Sequence, residues 1–369
     1  MRKVKVGLIG CGMISGAYLK SCTEKYDIME IVACADLVPE LARQRAQEFG
    51  ISKALTVEEL LSDSEIELVI NLTIPKAHAE INLLALEAGK HVYVEKPFAV
   101  RRDDAKKVIE LAASKNLRVG GAPDTFLGGG LQTCRKLIDE GWIGTPFSAD
   151  ARIMMGNASE STHPNGAFWF QEGGDPMMDM GPYYITALVH LLGPIVRVVG
   201  SAQRLHDTVT FIHPKSPLYG TQIPLEIPMN ISGVLDFENG AVGTITTSKE
   251  GYGYMPRLEV YGTQGTLICN DPNAFGGTIY IQRRDGERKE VAYTHGFTDE
   301  SRGLGAADMC YAIATGRQHR ANGELTYHVL DVMHSIQESS RENSHIQIGS
   351  RCDRPKPLPL GLRFNTLDT

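Results

Sequence analysis

The chain has 369 residues, with 37 lysines and arginines against 44 aspartates and glutamates and a formal charge of −7. At 42% hydrophobic and 22% charged it has the composition of a folded globular protein, which excludes intrinsic disorder, and its length fits two or three domains. The mild acidity offers no basic footprint for a phosphate backbone, so nucleic acid is not an expected partner.

The opening MRKVKVGLIGCGM has a six-residue apolar run that contains two glycines, too short and too broken for a signal peptide. No stretch approaches the roughly 18–20 apolar residues of a membrane span. Seven cysteines are scattered without a C-x-x-C pair. Free thiols in a reducing compartment, and hence a cytoplasmic protein, are the expectation.

In chain order, 4–9, 30–35, 68–73, 91–94 and 117–121 read as short buried strands, being β-branched and bounded by turn residues. Helical stretches alternate with them at 13–25, 39–49, 75–88 and 101–115, with Pro39 and Pro75 at starts and Gly50 and Gly89 at stops. Repeated β-α-β units imply a parallel sheet covered on both faces. The glycine-rich segment 122–130 reads as a hinge, and a helix follows at 131–140. Beyond it, strands succeed one another at 147–155, 195–203, 228–237, 241–249, 257–261, 266–270, 278–283 and 289–293. Glu238-Asn239-Gly240, Thr263-Gln264-Gly265 and Asp285-Gly286 supply hairpin turns, so a largely antiparallel sheet is expected. One helix interrupts it at 179–192, two more lie at 304–315 and 325–340, and the proline-rich tail 351–369 reads as extended over the surface. The fold class is therefore α/β, with domains at 1–123 and 124–369.

Gly10-Cys11-Gly12-Met13-Ile14-Ser15 follows the first strand and opens the first helix. There, glycines permit a tight turn and close approach to a pyrophosphate, which the helix N-terminus can receive. Ser15 replaces the usual Gly or Ala and is still small. Asp36 ends the second strand 24 residues beyond Gly12, near the ~20 expected of a ribose-binding acid; capping the helix at Pro39 is its other use. A carboxylate accepts from a 2′-hydroxyl and repels a 2′-phosphate, which favours NAD over NADP, although Arg43 and Arg45 lie on the next helix. Glu95-Lys96-Pro97 ends the strand at 91–94, on the side where open parallel sheets bind ligands. In Gly173-Gly174-Asp175-Pro176-Met177-Met178-Asp179-Met180-Gly181-Pro182-Tyr183, a glycine turn feeds a helix that places Asp179 and Tyr183 on one face. A packed tyrosine and a helix-start carboxylate would show the same spacing.

These segments, together with Thr73-Ile74-Pro75-Lys76-Ala77-His78 and Ala88-Gly89-Lys90-His91-Val92-Tyr93-Val94, resemble in order and spacing the Gfo/Idh/MocA family. That family includes glucose–fructose oxidoreductase, inositol dehydrogenase and many sugar dehydrogenases. The resemblance spans nearly the whole chain, most securely 4–121 and 173–193, while 204–225 matches nothing in it. It implies a Rossmann domain joined to an α/β domain whose open sheet often mediates oligomerisation, so a homo-oligomer (dimer or tetramer) is expected. It also implies cofactor contacts at Gly10, Gly12, Met13, Ile14, Asp36, Thr73, His78, Glu95 and Lys96. Lys96, Asp179 and Tyr183 would be catalytic, with Tyr183 where the family most often has histidine. Substrate contacts are expected at Lys96, Asp179, Tyr183, Asp175, and His163 and Trp169 of a polar, aromatic loop at 156–172. Asp175 could instead satisfy the turn, His163 belong to a surface loop, and His78 cap or pack. No spacing suggests a metal site.

Ionising a phenol of pKa near 10 at neutral pH costs about 4 kcal/mol. An ammonium at ~4 Å in an effective dielectric near 20 returns about that much before desolvation, so Lys96 is expected to activate Tyr183, with Asp179 opposing it unless paired with the lysine. His163 is the reserve base. The expected activity is hydride transfer between NAD and a secondary alcohol of a sugar, inositol or related polyol. An NAD-recycling glycoside-cleaving enzyme and a non-enzymatic NAD sensor are the alternatives.

Overall fold

A computed structural model describes residues 1–163, 165–284, 286–362 and 366–367. Asp285 of the expected turn and Pro164 lie outside the described residues, as does part of the tail. The first half is a six-stranded parallel sheet built from β1 (Val4–Ile9), α1 (Ser15–Glu24), β2 (Met29–Ala35), α2 (Pro39–Phe49), β3 (Lys53–Leu55), α3 (Val57–Ser62), β4 (Leu68–Asn71), α4 (His78–Glu87), β5 (His91–Val94), α5 (Arg102–Ser114) and β6 (Val119–Gly121). Strand order β3-β2-β1-β4-β5-β6 reverses direction at β1, between β1 and β4, which opens a crevice at the carboxyl ends of those strands. The apolar runs read from the sequence are buried on both faces, as parallel strands between helices must be. β3 and α3 are additions to that reading. β3 is three half-exposed residues with no periodicity, whereas α3 is started by a capping box, Thr56-x-x-Glu59.

The second half continues with α6 (Gly129–Asp139), β7 (Pro146–Gly156), α7 (Pro176–Leu192), β8 (Ile195–Gln203), β9 (Thr208–Thr210), β10 (Gln222–Pro224), β11 (Asn230–Phe237), β12 (Val242–Gly251), β13 (Met255–Gly262), β14 (Gly265–Ile268), β15 (Tyr280–Arg283), β16 (Arg288–Glu290), α8 (Leu304–Thr315), α9 (Gly323–Glu342) and β17 (Ile346–Gln347). Nine of these strands form one sheet, β16-β15-β14-β13-β7-β12-β11-β8-β17, antiparallel except where β7 lies parallel to β12. The helices α7 and α9 pack on one face of it. β9 and β10 form a separate hairpin from the unplaced segment 204–225. It rests with the loop before α7 on a small core of its own, centred on Phe170, Phe211, Leu225 and Met229.

The two halves are not joined at a single hinge. The chain returns to the first sheet at its end: the Gly121 N–H donates to the Ala321 carbonyl (3.2 Å), Asn322 bridges to Gly120, and His319 meets the Val119 carbonyl (3.1 Å). The described part of the tail runs extended over the surface and is pinned there, with Arg135 donating to the Pro355 carbonyl and Gln132 accepting from the Leu358 N–H. All seven cysteines are free, and among the described residues no helix is long and apolar enough to cross a membrane.

Asp124, fully buried at the junction, accepts the N–H groups of Gly303 (2.9 Å) and Gly305 (3.0 Å) on one oxygen. Burial pushes its pKa up to about 6. An unfolded aspartate titrates near 3.9, so the wild-type fold loses stability as pH rises from about 4 through 6, by up to about 3 kcal/mol. Asp124→Asn keeps an acceptor for both N–H groups and has no proton to lose. Its melting temperature is expected to gain on the wild type across that interval and to keep a constant lead above it, as parallel melts at several pH values will show.

Candidate active site

The turn after β1 is shaped for a dinucleotide. Gly10 has φ +102°, and a Cβ there would sit 2.6 Å from the backbone of Leu72, so only glycine fits. At Gly12 the reverse holds: a Cβ would meet nothing within 4 Å. Met13 beside it is 75% exposed, and α1 begins with neither a side-chain cap nor an acidic residue in its first turn. An open helix start facing a side-chain-free edge fits a pyrophosphate. Asp36 accepts the Cys11 N–H on one oxygen (2.7 Å) and the Val38 N–H on the other (2.8 Å). It therefore ties the glycine turn to Val38, the residue before the next helix, and each oxygen keeps a lone pair for a ribose hydroxyl. Arg43 is paired with Glu40 and Arg45 with Glu48, so neither guanidinium is left as an uncompensated charge for a 2′-phosphate.

A cavity of about 270 Å³ lies beyond the turn, lined by Ile14, Thr73, Glu95, Lys96 and Tyr183. It adjoins a second cavity of about 380 Å³ whose walls include Lys76, Lys96, His163, Phe168, Trp169 and Asp179. Thr73 and Lys96 line both, so the lysine stands at the junction. The Lys96 Nζ donates to the Asp179 carboxylate (2.8 Å) and to the Asp179 carbonyl (2.8 Å), and lies 5.3 Å from the centre of the Tyr183 ring. Glu95 turns the other way, accepting from the Tyr18 hydroxyl (2.8 Å) and the Lys96 N–H (2.8 Å). Burial works against the charge on Lys96, but Asp179, with Tyr183 and Glu95, keeps it above the ordinary lysine range. Burial would likewise raise Asp179, yet Lys249 and Lys96 outweigh it and hold the carboxyl well below the carboxylate range.

Residues 4–121 match the oxidoreductase family GFO/IDH/MocA in its NAD-binding Rossmann fold, and residues 131–268 match the C-terminal domain of the same family. The chain belongs to the GFO/IDH/MocA family. Levoglucosan dehydrogenase of Pseudarthrobacter phenanthrenivorans is 24% identical over 73% of this chain and 74% of its own length. Inositol 2-dehydrogenase 3 of Saccharopolyspora erythraea is 25% identical over 74% of this chain and 75% of its own. Among solved structures, a levoglucosan dehydrogenase in complex with NADH superimposes with a TM-score of 0.82 at 22% identity, covering 95% of this chain and all of that one. An NAD-binding oxidoreductase from Klebsiella pneumoniae gives 0.83 with the same identity and coverage.

Two family-implied contacts are placed elsewhere. His78 is buried, with its ring nitrogens 2.7 Å from the Pro97 carbonyl and 3.0 Å from the Thr73 carbonyl, so it braces the strand ends and has no nitrogen for the cofactor. Asp175 is the cap of α7, accepting the Met177 and Met178 N–H groups (3.0 and 2.9 Å), and is buried away from the substrate cavity. His163 does line that cavity, edge-on to Trp169, but its Nδ1 accepts the Asn165 N–H (3.0 Å). A neutral ring then carries its proton on Nε2, and its basic nitrogen is turned to the loop backbone.

The expected activation of Tyr183 by Lys96 is also corrected. Burial raises the phenol above its ordinary value by more than Lys96 lowers it, and Glu95 adds to the rise. Sequence reasoning missed Arg302, whose guanidinium lies near enough to Tyr183 to pull its ionisation in the same direction as Lys96. It also missed Lys249, buried at the second oxygen of Asp179 (3.0 Å). Neither carried a signal, since each is a single basic residue in an unremarked strand or loop.

The two glycines generate a paired prediction. Gly10→Ala should lower the melting temperature sharply or prevent folding. Gly12→Ala should leave the melt near wild type and weaken NADH binding about tenfold or more, because its methyl occupies the approach to the pyrophosphate. Melts and NADH fluorescence titrations on both variants provide the comparison.

Proposed function

We propose that this chain is an NAD(H)-dependent dehydrogenase of a secondary alcohol on a sugar, inositol or related polyol. The observation that carries the reading is the ammonium of Lys96 at the junction of the two cavities. Two of its three N–H groups are held by Asp179, and one is left for a substrate oxygen. NAD, when bound, accepts or returns the hydride. Lys96 would donate to the reacting oxygen and stabilise negative charge as it develops there. Tyr183 would move the hydroxyl proton, with Arg302 and Lys96 favouring its ionised form and burial opposing it. Trp169 and Phe168 would form the wall against which a sugar ring packs. The named dehydrogenases among the relatives favour this reading over glycoside cleavage or sensing.

The division at residue 123 would separate cofactor from substrate binding. The outer face of the nine-stranded sheet, where Val234 and Val242 are exposed, would pair copies of the chain into a dimer or tetramer. A cytoplasmic location agrees with seven unpaired thiols.

The test is NADH formation with a panel of free sugars, inositols and glycosides at neutral and alkaline pH, with NADP in parallel. Signal with NAD and one alcohol is expected. Release of aglycone without net NADH would overturn the dehydrogenase reading, and a preference for NADP would overturn the role given to Asp36.

A buried phenol fixes the sign of the pH dependence. The oxidation rate should rise with pH up to and beyond the ordinary phenol value of about 10, while reduction, which uses the protonated phenol, should hold through neutrality. Tyr183→Phe should remove the alkaline rise and lower oxidation by roughly 10²–10⁴-fold. A profile that instead breaks at about pH 6.5 and survives this substitution would assign the base to a histidine.

A further inference from the structure

We propose that Lys249 is a positioning residue for this reaction, fixing Asp179 from the side opposite Lys96 and tying the aromatic wall of the substrate cavity to that carboxylate; the proposal rests on the reading of the cleft given above. Lys249 lies on β12 and is 4% exposed. A buried ammonium needs a partner for each N–H. Lys249 has three: the Gly174 carbonyl at 2.9 Å, the second Asp179 oxygen at 3.0 Å, and the face of the Trp169 ring, 3.8 Å from its centre. All its donors are thereby used, so it is not a second ammonium for substrate. That role stays with Lys96.

Without Lys249, one oxygen of Asp179 would be buried with no cation beside it, and the carboxylate would be free to turn about its bond to Cβ. The Lys96 ammonium, held by the first oxygen, would move with it. A shift of about 1 Å at such a site is enough to cost on the order of 10²-fold in rate.

The second half of the argument lies in the wall. Phe170 belongs to the small core shared with the β9–β10 hairpin, not to the main one, and Trp169 is packed at its margin. The hairpin segment holds this loop through its backbone: the Ile212 N–H donates to the Ser159 carbonyl (3.1 Å) and the Glu226 N–H to the Phe170 carbonyl (3.2 Å). Lys249 joins that unit to the catalytic carboxylate, touching the Trp169 ring and the Gly174 carbonyl at once. Gly174 is suited to this place because a Cβ there would strike the Phe168 carbonyl oxygen at 2.1 Å. The β9–β10 hairpin segment thus props the Trp169 loop, and Lys249 sets its distance from the reacting centre.

The experiment uses the full chain carrying Trp142→Phe, which leaves Trp169 as the single tryptophan of the two in the sequence. Lys249→Met removes the charge while keeping most of the side chain's length. The proposal expects a change in Trp169 emission, a fall in kcat of about tenfold or more with the alcohol selected by the panel, and an unchanged NADH dissociation constant. Lys249→Arg should recover part of both the emission and kcat. Lys249→Gln, which can still donate to Gly174, replaces methionine if that variant fails to fold. Wild-type emission or wild-type kcat in a folded Lys249→Met protein overturns the proposal. A panel with no oxidised alcohol counts against the dehydrogenase reading itself, and Trp169 emission then decides the placement of Lys249 on its own.

Discussion

Asp179 is one carboxylate held between two buried ammonium groups, and the three come from elements distant in sequence: the end of β5, the first turn of α7 and the last residues of β12. Desolvating three charges is costly, and such a group persists only when its geometry is close and its remaining hydrogen bonds are filled. Here they are filled by the Gly174 and Asp179 carbonyls and the Trp169 ring. The arrangement requires the Rossmann sheet and the nine-stranded sheet to sit at a fixed separation, because Lys96 belongs to one and Lys249 to the other. The two cavities that meet at Lys96 then lie on either side of a single ion cluster.

What was legible in the sequence is what is local. Strand β1, Gly10 and Gly12 lie within a few residues of one another, and their meaning follows from the turn they must make. The order of elements, the change from alternating to successive strands after residue 121, and the pairing of Lys96 with Asp179 by resemblance were all open to reading. Lys249 was not, because a lysine near the end of a strand has no local mark that it will be buried. Its partners, Gly174 and Asp179, are some seventy residues earlier. His78 and Asp175 were open between two uses for the opposite reason: both lie inside motifs that concern ligands, while their side chains serve the backbone that presents those motifs. β3 was missed because three residues are too few to show a period.

Tyr183 shows why a charge pair alone is a poor guide to protonation. The attraction of Lys96 is largely committed to Asp179, and the same burial that would strengthen it also penalises the phenolate. The site therefore rests with a neutral phenol beside two cations, a state ready to give a proton and slow to take one. Under the proposed mechanism, a buried phenol in this place moves the working range of the reaction upward in pH.

The outer edge of the Rossmann sheet receives its cover from Ala321 and Asn322, far along the chain from β6. An uncovered strand edge is a template for unwanted pairing. During synthesis that edge stays open until the chain has been made past residue 322, so the first half emerges from the ribosome with one side of its sheet exposed. The interval before its last helices arrive is thus one in which the half-made chain carries an open sheet edge that the finished fold does not.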